Sequence, residues 1–192
     1  MRARPRFAIH SGPVATADGG SREPLERELL PLGPALGLRL EWRQPGVFAQ
    51  QWWLESEQGS HALVRREGGF ASRWWRIETH EAAWRCKREW GGEQSIHDGE
   101  DRVVLRASAG RFGRGRLLFA DGTALPLRRG WTGFRLLDTN GLELVEFRNV
   151  FRWLRLESRV GLSDAVRRRD DVALLLAAAW LAMLTRPRHH NR

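Results

Sequence analysis

The side chains able to hold a metal or attack a substrate are few and scattered. His61, His80 and His97 lie far apart in the chain, and His80-Glu81 is not followed by a second histidine at helical spacing, as HExxH zinc chemistry requires. His189 and His190 fall in the last four residues. There is no Gly-x-Ser-x-Gly turn to expose a serine nucleophile. Cys86, the one cysteine, alternates with Arg85 and Lys87 and so belongs to the apolar face it shares with Trp84, where a thiol stays inert unless a base lowers its pKa. Asp98, Glu100 and Asp101 surround Gly99 without the spacing of a calcium loop and read as a solvated turn. These residues predict no catalytic site, no bound metal and no cofactor, and the chain is read as a non-enzyme.

Anion binding has more support. The segment Gly110-Arg111-Phe112-Gly113-Arg114-Gly115-Arg116 has the glycines of a phosphate-cradling loop but lacks the terminal Lys-Ser/Thr of that motif, and a strand pattern follows it where a helix would be required. It still places Arg111, Arg114 and Arg116 on one glycine-rich connection. Arg128 and Arg129 lie beyond the next hairpin, and antiparallel pairing would bring them beside Arg116. The formal net charge is +9; residues 1–32 hold five arginines and four acids, so +8 resides on residues 33–192. Such a surface favours an acidic lipid surface or an acidic protein, with nucleic acid a further anionic partner; no feature indicates a small-molecule substrate.

The elements that position these arginines follow a period of two. Leu38, Leu40 and Trp42 alternate with Arg39, Glu41 and Arg43, and Trp75, Ile77 and Thr79 with Trp74, Arg76 and Glu78. This is the pattern of half-buried strands. Glu57-Gln58-Gly59, Asp121-Gly122 and Asn140-Gly141 each separate two such runs and supply the positive φ that tight hairpins need. In all, about eleven or twelve short antiparallel strands are expected. One ring of each doublet, Trp52-Trp53 and Trp74-Trp75, faces inward and its neighbour outward, where the N-terminal segment, another ring or a partner would cover it.

After Gly161 the period breaks, and a helix is expected over about residues 164–185, capped by Ser163 or Asp164 and stopped by Pro187. Its stretch VALLLAAAWLAML (Val172–Leu184) is apolar on every side and must be buried all round. Thirteen residues span about 20 Å, short of about 30 Å of bilayer hydrocarbon, which favours burial in protein over a tail anchor. Strands must then surround it. The expected fold is mostly β, a closed many-stranded antiparallel barrel around one apolar C-terminal helix. Residues 1–33, rich in Gly, Pro, Ser and Arg, are expected to be disordered; residues 34–188 form the domain and 189–192 a frayed tail. The lack of an apolar leader and the single cysteine point to the cytoplasm, peripheral to the membrane if lipid is the partner.

The hairpins LLFADGTALPL and FRLLDTNGLELVEF followed by VALLLAAAWLAML resemble the tubby C-terminal superfamily, which includes the LURP-one-related proteins and the phospholipid scramblases. The resemblance covers about residues 36–186. It implies a binding module that contacts anionic ligands such as lipid head groups, with a structural or protein-interaction role as the alternative. The cysteine-rich and calcium-binding stretches of scramblases have no counterpart here, and the basic residues of tubby proteins have no matching positions, so no site residue is carried over.

Overall fold

A computed structural model describes residues 27–184 except Val47 and residues 69–71, 90–92, 109–113, 130–132 and 153–154; of 150–152 and 155–156 the backbone alone is described. Twelve strands follow one another: β1 (Leu40–Arg43), β2 (Gln51–Ser56), β3 (Gly59–Arg66), β4 (Trp74–Thr79), β5 (Ala83–Arg88), β6 (Glu93–His97), β7 (Val103–Ser108), β8 (Arg114–Phe119), β9 (Ala124–Arg129), β10 (Gly133–Leu137), β11 (Glu143–Arg152) and β12 (Arg155–Leu162). Each pairs antiparallel with the next, and β1 closes the ring by pairing with β12. The closure register sets Trp42 opposite Ser158 on one side and Leu54 on the other. A closed wall leaves no sheet edge for unwanted pairing.

The alternation read from the sequence is the alternation of burial. Trp75, Ile77 and Thr79 are buried, whereas Trp74, Arg76 and Glu78 are half-buried on the outer face. The turns form as their residues dictate: Gly122 and Gly141 have φ of 87° and 86°. Asp121 accepts the Thr123 N–H, and Asp138 accepts those of Asn140 and Leu142.

Inside the wall lies α2 (Val172–Leu184). Leu175, Leu176, Ala177, Ala178, Trp180, Leu181 and Ala182 are fully buried. Trp180 stacks on Trp42 of β1 with ring centroids 5.4 Å apart and also meets Phe147 of β11. On β6, the Gln94 amide donates to the Leu181 carbonyl in the last turn of α2. Eight strands leave an interior just filled by side chains, so twelve make room for a helix. A wall strand of six residues and a helix of thirteen both run about 20 Å, so helix and barrel match in depth. No helix among the described residues is long and apolar enough to cross a membrane.

Two expectations need correction. The single helix over 164–185 is two: α1 (Asp164–Arg167) and α2, with four residues between. Arg169 in that gap turns its guanidinium onto Asp171, with both bonds at 2.7 Å, and the Asp171 carbonyl accepts the Leu175 N–H to begin α2. Ser163 precedes α1 without a capping side-chain bond. The disorder expected for residues 1–33 does not hold for Arg27–Gly33; the earlier residues and the 189–192 tail lie outside the described residues. Arg27–Leu32 forms a strap along β3. Leu29 bridges Ser60, and the Leu30 N–H donates to the Ser60 carbonyl. The Leu29 carbonyl meets His80 Nδ1 at 2.9 Å and the Leu30 carbonyl meets His61 Nδ1 at 3.3 Å. Arg27 covers the outward ring of Trp53, which is only 5% exposed. The strap leads into a short 3-10 turn (Gly33–Gly37) that buries Ala35.

Candidate functional site

Antiparallel order sends the six connections that follow odd-numbered strands to one end of the barrel, together with the C-terminus of α2. The remaining turns, with α1 and the strap, lie at the other end. The two ends differ in charge. At the first, seven of the twelve strands terminate in arginine: Arg43, Arg66, Arg88, Arg114, Arg129, Arg152 and Arg155. At the second, no strand terminates in arginine or lysine, and the turns carry Glu57, Glu81, Asp121, Asp138 and the acidic Asp98–Asp101 loop.

Some basic-end arginines have partners. Arg43 is gripped by Glu41 and Glu55. The negative end of the α2 dipole also lies here, but it supplies only about half an elementary charge. Among the described residues, Arg66, Arg88, Arg114 and Arg129 have no carboxylate within ion-pair distance. Arg66 donates to the Ser72 carbonyl and to Gln50, and packs over Trp75. Burial, and then repulsion from Arg88, pulls its pKa below the usual arginine value.

The candidate arginines concentrate on one side of this end. Arg111 lies outside the described residues. Arg114 and Arg116 are exposed, and they belong to β8 rather than to a flexible connection, because the ladder with β9 already holds Arg114. That register also corrects the expected neighbours. Arg128 stands opposite Arg114, while Arg116 stands opposite Pro126. On its other side Arg128 faces Arg135 of β10. Arg114, Arg128 and Arg135 therefore form a row across three strands, with adjacent Cβ atoms about 5 Å apart. Arg135 reaches Glu143 and Glu146, but Arg114, Arg116 and Arg128 have no acidic partner among the described residues. Arg129 is exposed at the end of β9 and takes the opposite face of the sheet, paired with buried Phe134.

Strands β7, β8 and β9 read VVLRAS, RGRLLF and ALPLRR: five arginines and no acid. Their outward positions are Arg106, Ser108, Arg114, Arg116, Leu118, Ala124, Pro126 and Arg128, with no aromatic ring. The sequence reading missed Arg106, Arg135, Arg66 and Arg88. The available signal was an arginine recurring at the strand boundary beside the glycine-containing connections.

The residues weighed for other chemistry have structural roles. Cys86 is fully buried beside Gln94, and burial pushes its thiol up to about 12. His61 ties the strap to Ser56, His80 holds Leu29, and His97 contacts Ser95 and Asp101. Asp98 accepts the N–H groups of Glu100 and Arg102 as a loop former, and its pairing with Arg102 is exposed. A cleft of about 580 Å³ opens beside the strap, where Glu28, Glu55 and Glu57 make it unsuited to an anion. No family model, curated protein or solved structure matches the chain.

Proposed function

We propose that the barrel is a non-enzymatic binding module of the tubby-like class that contacts anionic ligands, lipid head groups foremost, through the β7–β9 wall. The observation that carries this reading is the cross-strand row of Arg114 and Arg128, extended along β8 by Arg116, none of which has an acidic partner among the described residues. Like charges placed opposite one another on a sheet oppose folding, at roughly 0.7 kcal/mol for guanidiniums about 6 Å apart in water. A bound anion reverses that sign. Guanidinium groups suit phosphate because their forked N–H donors meet two of its oxygens at once. The described positions of the wall offer no ring on which a base would stack, as single-stranded nucleic acid binding uses, and intersperse its arginines with Leu118 and Pro126.

Co-sedimentation with acidic and with neutral vesicles tests the proposal. Binding is expected to acidic vesicles alone, fading as salt shortens the screening length from about 8 Å. Changing Arg114, Arg116 and Arg128 together to Ser is expected to weaken it. Equal binding to neutral vesicles, or an unaltered triple variant, would remove the wall from consideration.

A further inference from the structure

We propose that the basic end of the barrel is a bilayer-docking rim. In this arrangement Phe48 enters the interfacial layer of an acidic membrane, while Arg88, Arg114 and Arg129 meet its head groups. The barrel then stands end-on, with its acidic turns in water. This rests on the lipid reading above and adds to it a face, an orientation and an apolar contact.

Two observations converge on the rim. Phe48 is 86% exposed, in a connection (Gln44–Gln50) that carries no charge. A large apolar ring held in water gains by entering a membrane interface, where aromatic side chains concentrate. The second observation is that Arg88, Arg114 and Arg129, at strand ends of one closed ring, have no carboxylate partner among the described residues. A ring of charge with an apolar point beside it fits a flat anionic surface with hydrocarbon beneath.

The molecule supplies its own control. Leu142, 68% exposed, is the other large apolar side chain in open water among the described residues, and it belongs to a turn at the acidic end. Cys86 is fully buried and its thiol is pushed up to about 12, so a cysteine introduced at either position reacts selectively with a fluorophore. Full-length Phe48→Cys and Leu142→Cys proteins, each carrying an environment-sensitive label, are mixed with vesicles of equal parts phosphatidylcholine and phosphatidylserine. The label at 48 is expected to shift to the blue and to be quenched by nitroxide-bearing lipid, while the label at 142 stays unchanged. Unlabelled Phe48→Ser is expected to lower vesicle partitioning about tenfold with an unaltered melting temperature.

Co-sedimentation with both labels silent would overturn the rim and leave the wall reading standing. Quenching at 142 instead of 48 would reverse the orientation and overturn it as well. No association with acidic vesicles would overturn both readings. Tighter binding to a duplex oligonucleotide than to the vesicles, lost on Arg114→Ser with Arg129→Ser, would overturn the assignment to lipid.

Discussion

The two ends of the barrel use charge differently. At the acidic end the carboxylates are engaged by their own turns: Asp98, Asp121 and Asp138 each accept backbone N–H groups from residues two to four positions on. Those charges are instruments of chain reversal. At the basic end Arg88, Arg114 and Arg129 have no carboxylate to answer them among the described residues, although elsewhere the same chain pairs Arg76 with Glu78 and Arg169 with Asp171. Charge density alone would rank the two ends alike as polar surface. The internal partners separate charge that builds the fold from charge left available to a ligand.

Both ends hang on one core, so the largest effect is common to them. Leu175→Asp places an uncompensated charge at the fully buried centre of α2 and is expected to cost more than about 4 kcal/mol, leaving no cooperative melt. A soluble variant with a sharp thermal transition would contradict an enclosed helix. Next comes the basic end. Each arginine near an acidic membrane is worth about 1 kcal/mol, so Arg114, Arg116 and Arg128 changed to Ser should lose about a hundredfold in vesicle affinity at low salt. Stability should hold or rise by less than about 1 kcal/mol as repulsion is relieved.

The acidic end should show the inverse. Asp138→Ala removes the acceptor of two turn N–H groups and is expected to cost about 1–2 kcal/mol, with vesicle binding unchanged. A binding loss there, or a stability loss in the arginine variant, would erase the distinction between the ends.

The smallest effect separates the ends by pH. The backbone N–H groups of Arg102 and Thr123 hold the Asp98 and Asp121 carboxyls below the usual carboxylate range. A depressed native pKa stabilises above the unfolded value, about 3.9, and that contribution disappears as pH falls through the native value. Melting temperatures of Asp98→Asn and Asp121→Asn should therefore fall short of the parent's at pH 7 and converge with it in acid. A gap that persists in acid would assign the turns' stability to something other than ionised carboxylates.

Much of this was written in local sequence. Alternation around Trp75 and Ile77, the glycines at 122 and 141, and an apolar segment too short for a bilayer together specify strands, hairpins and an enclosed helix. What escaped depends on register and on distant partners. Arg128 and Arg116 are neighbours in any loose drawing of a hairpin, yet the ladder sets Arg128 against Arg114 and Arg135. The strap around Leu29 was illegible because His61 and His80, which hold its carbonyls, come from β3 and from the turn after β4. The split between α1 and α2 hinges on one local pair, Arg169 with Asp171, which propensity alone does not weigh.

The place of α2 in chain order has a kinetic consequence. The wall is complete in sequence at Leu162, before the segment that fills it begins at Val172. Closing the wall also joins Leu40 to Val160, a pairing across most of the domain whose loop-closure entropy slows folding. A helix of thirteen residues is marginal alone in water, so α2 cannot serve as a preformed template. The last strand and the helix must therefore arrive nearly together. Until they do, the inward faces around Trp42, Ile77 and Leu105 lie open to aggregation. A chain released before Val172 would not be a smaller version of this protein but a wall around a space it cannot fill.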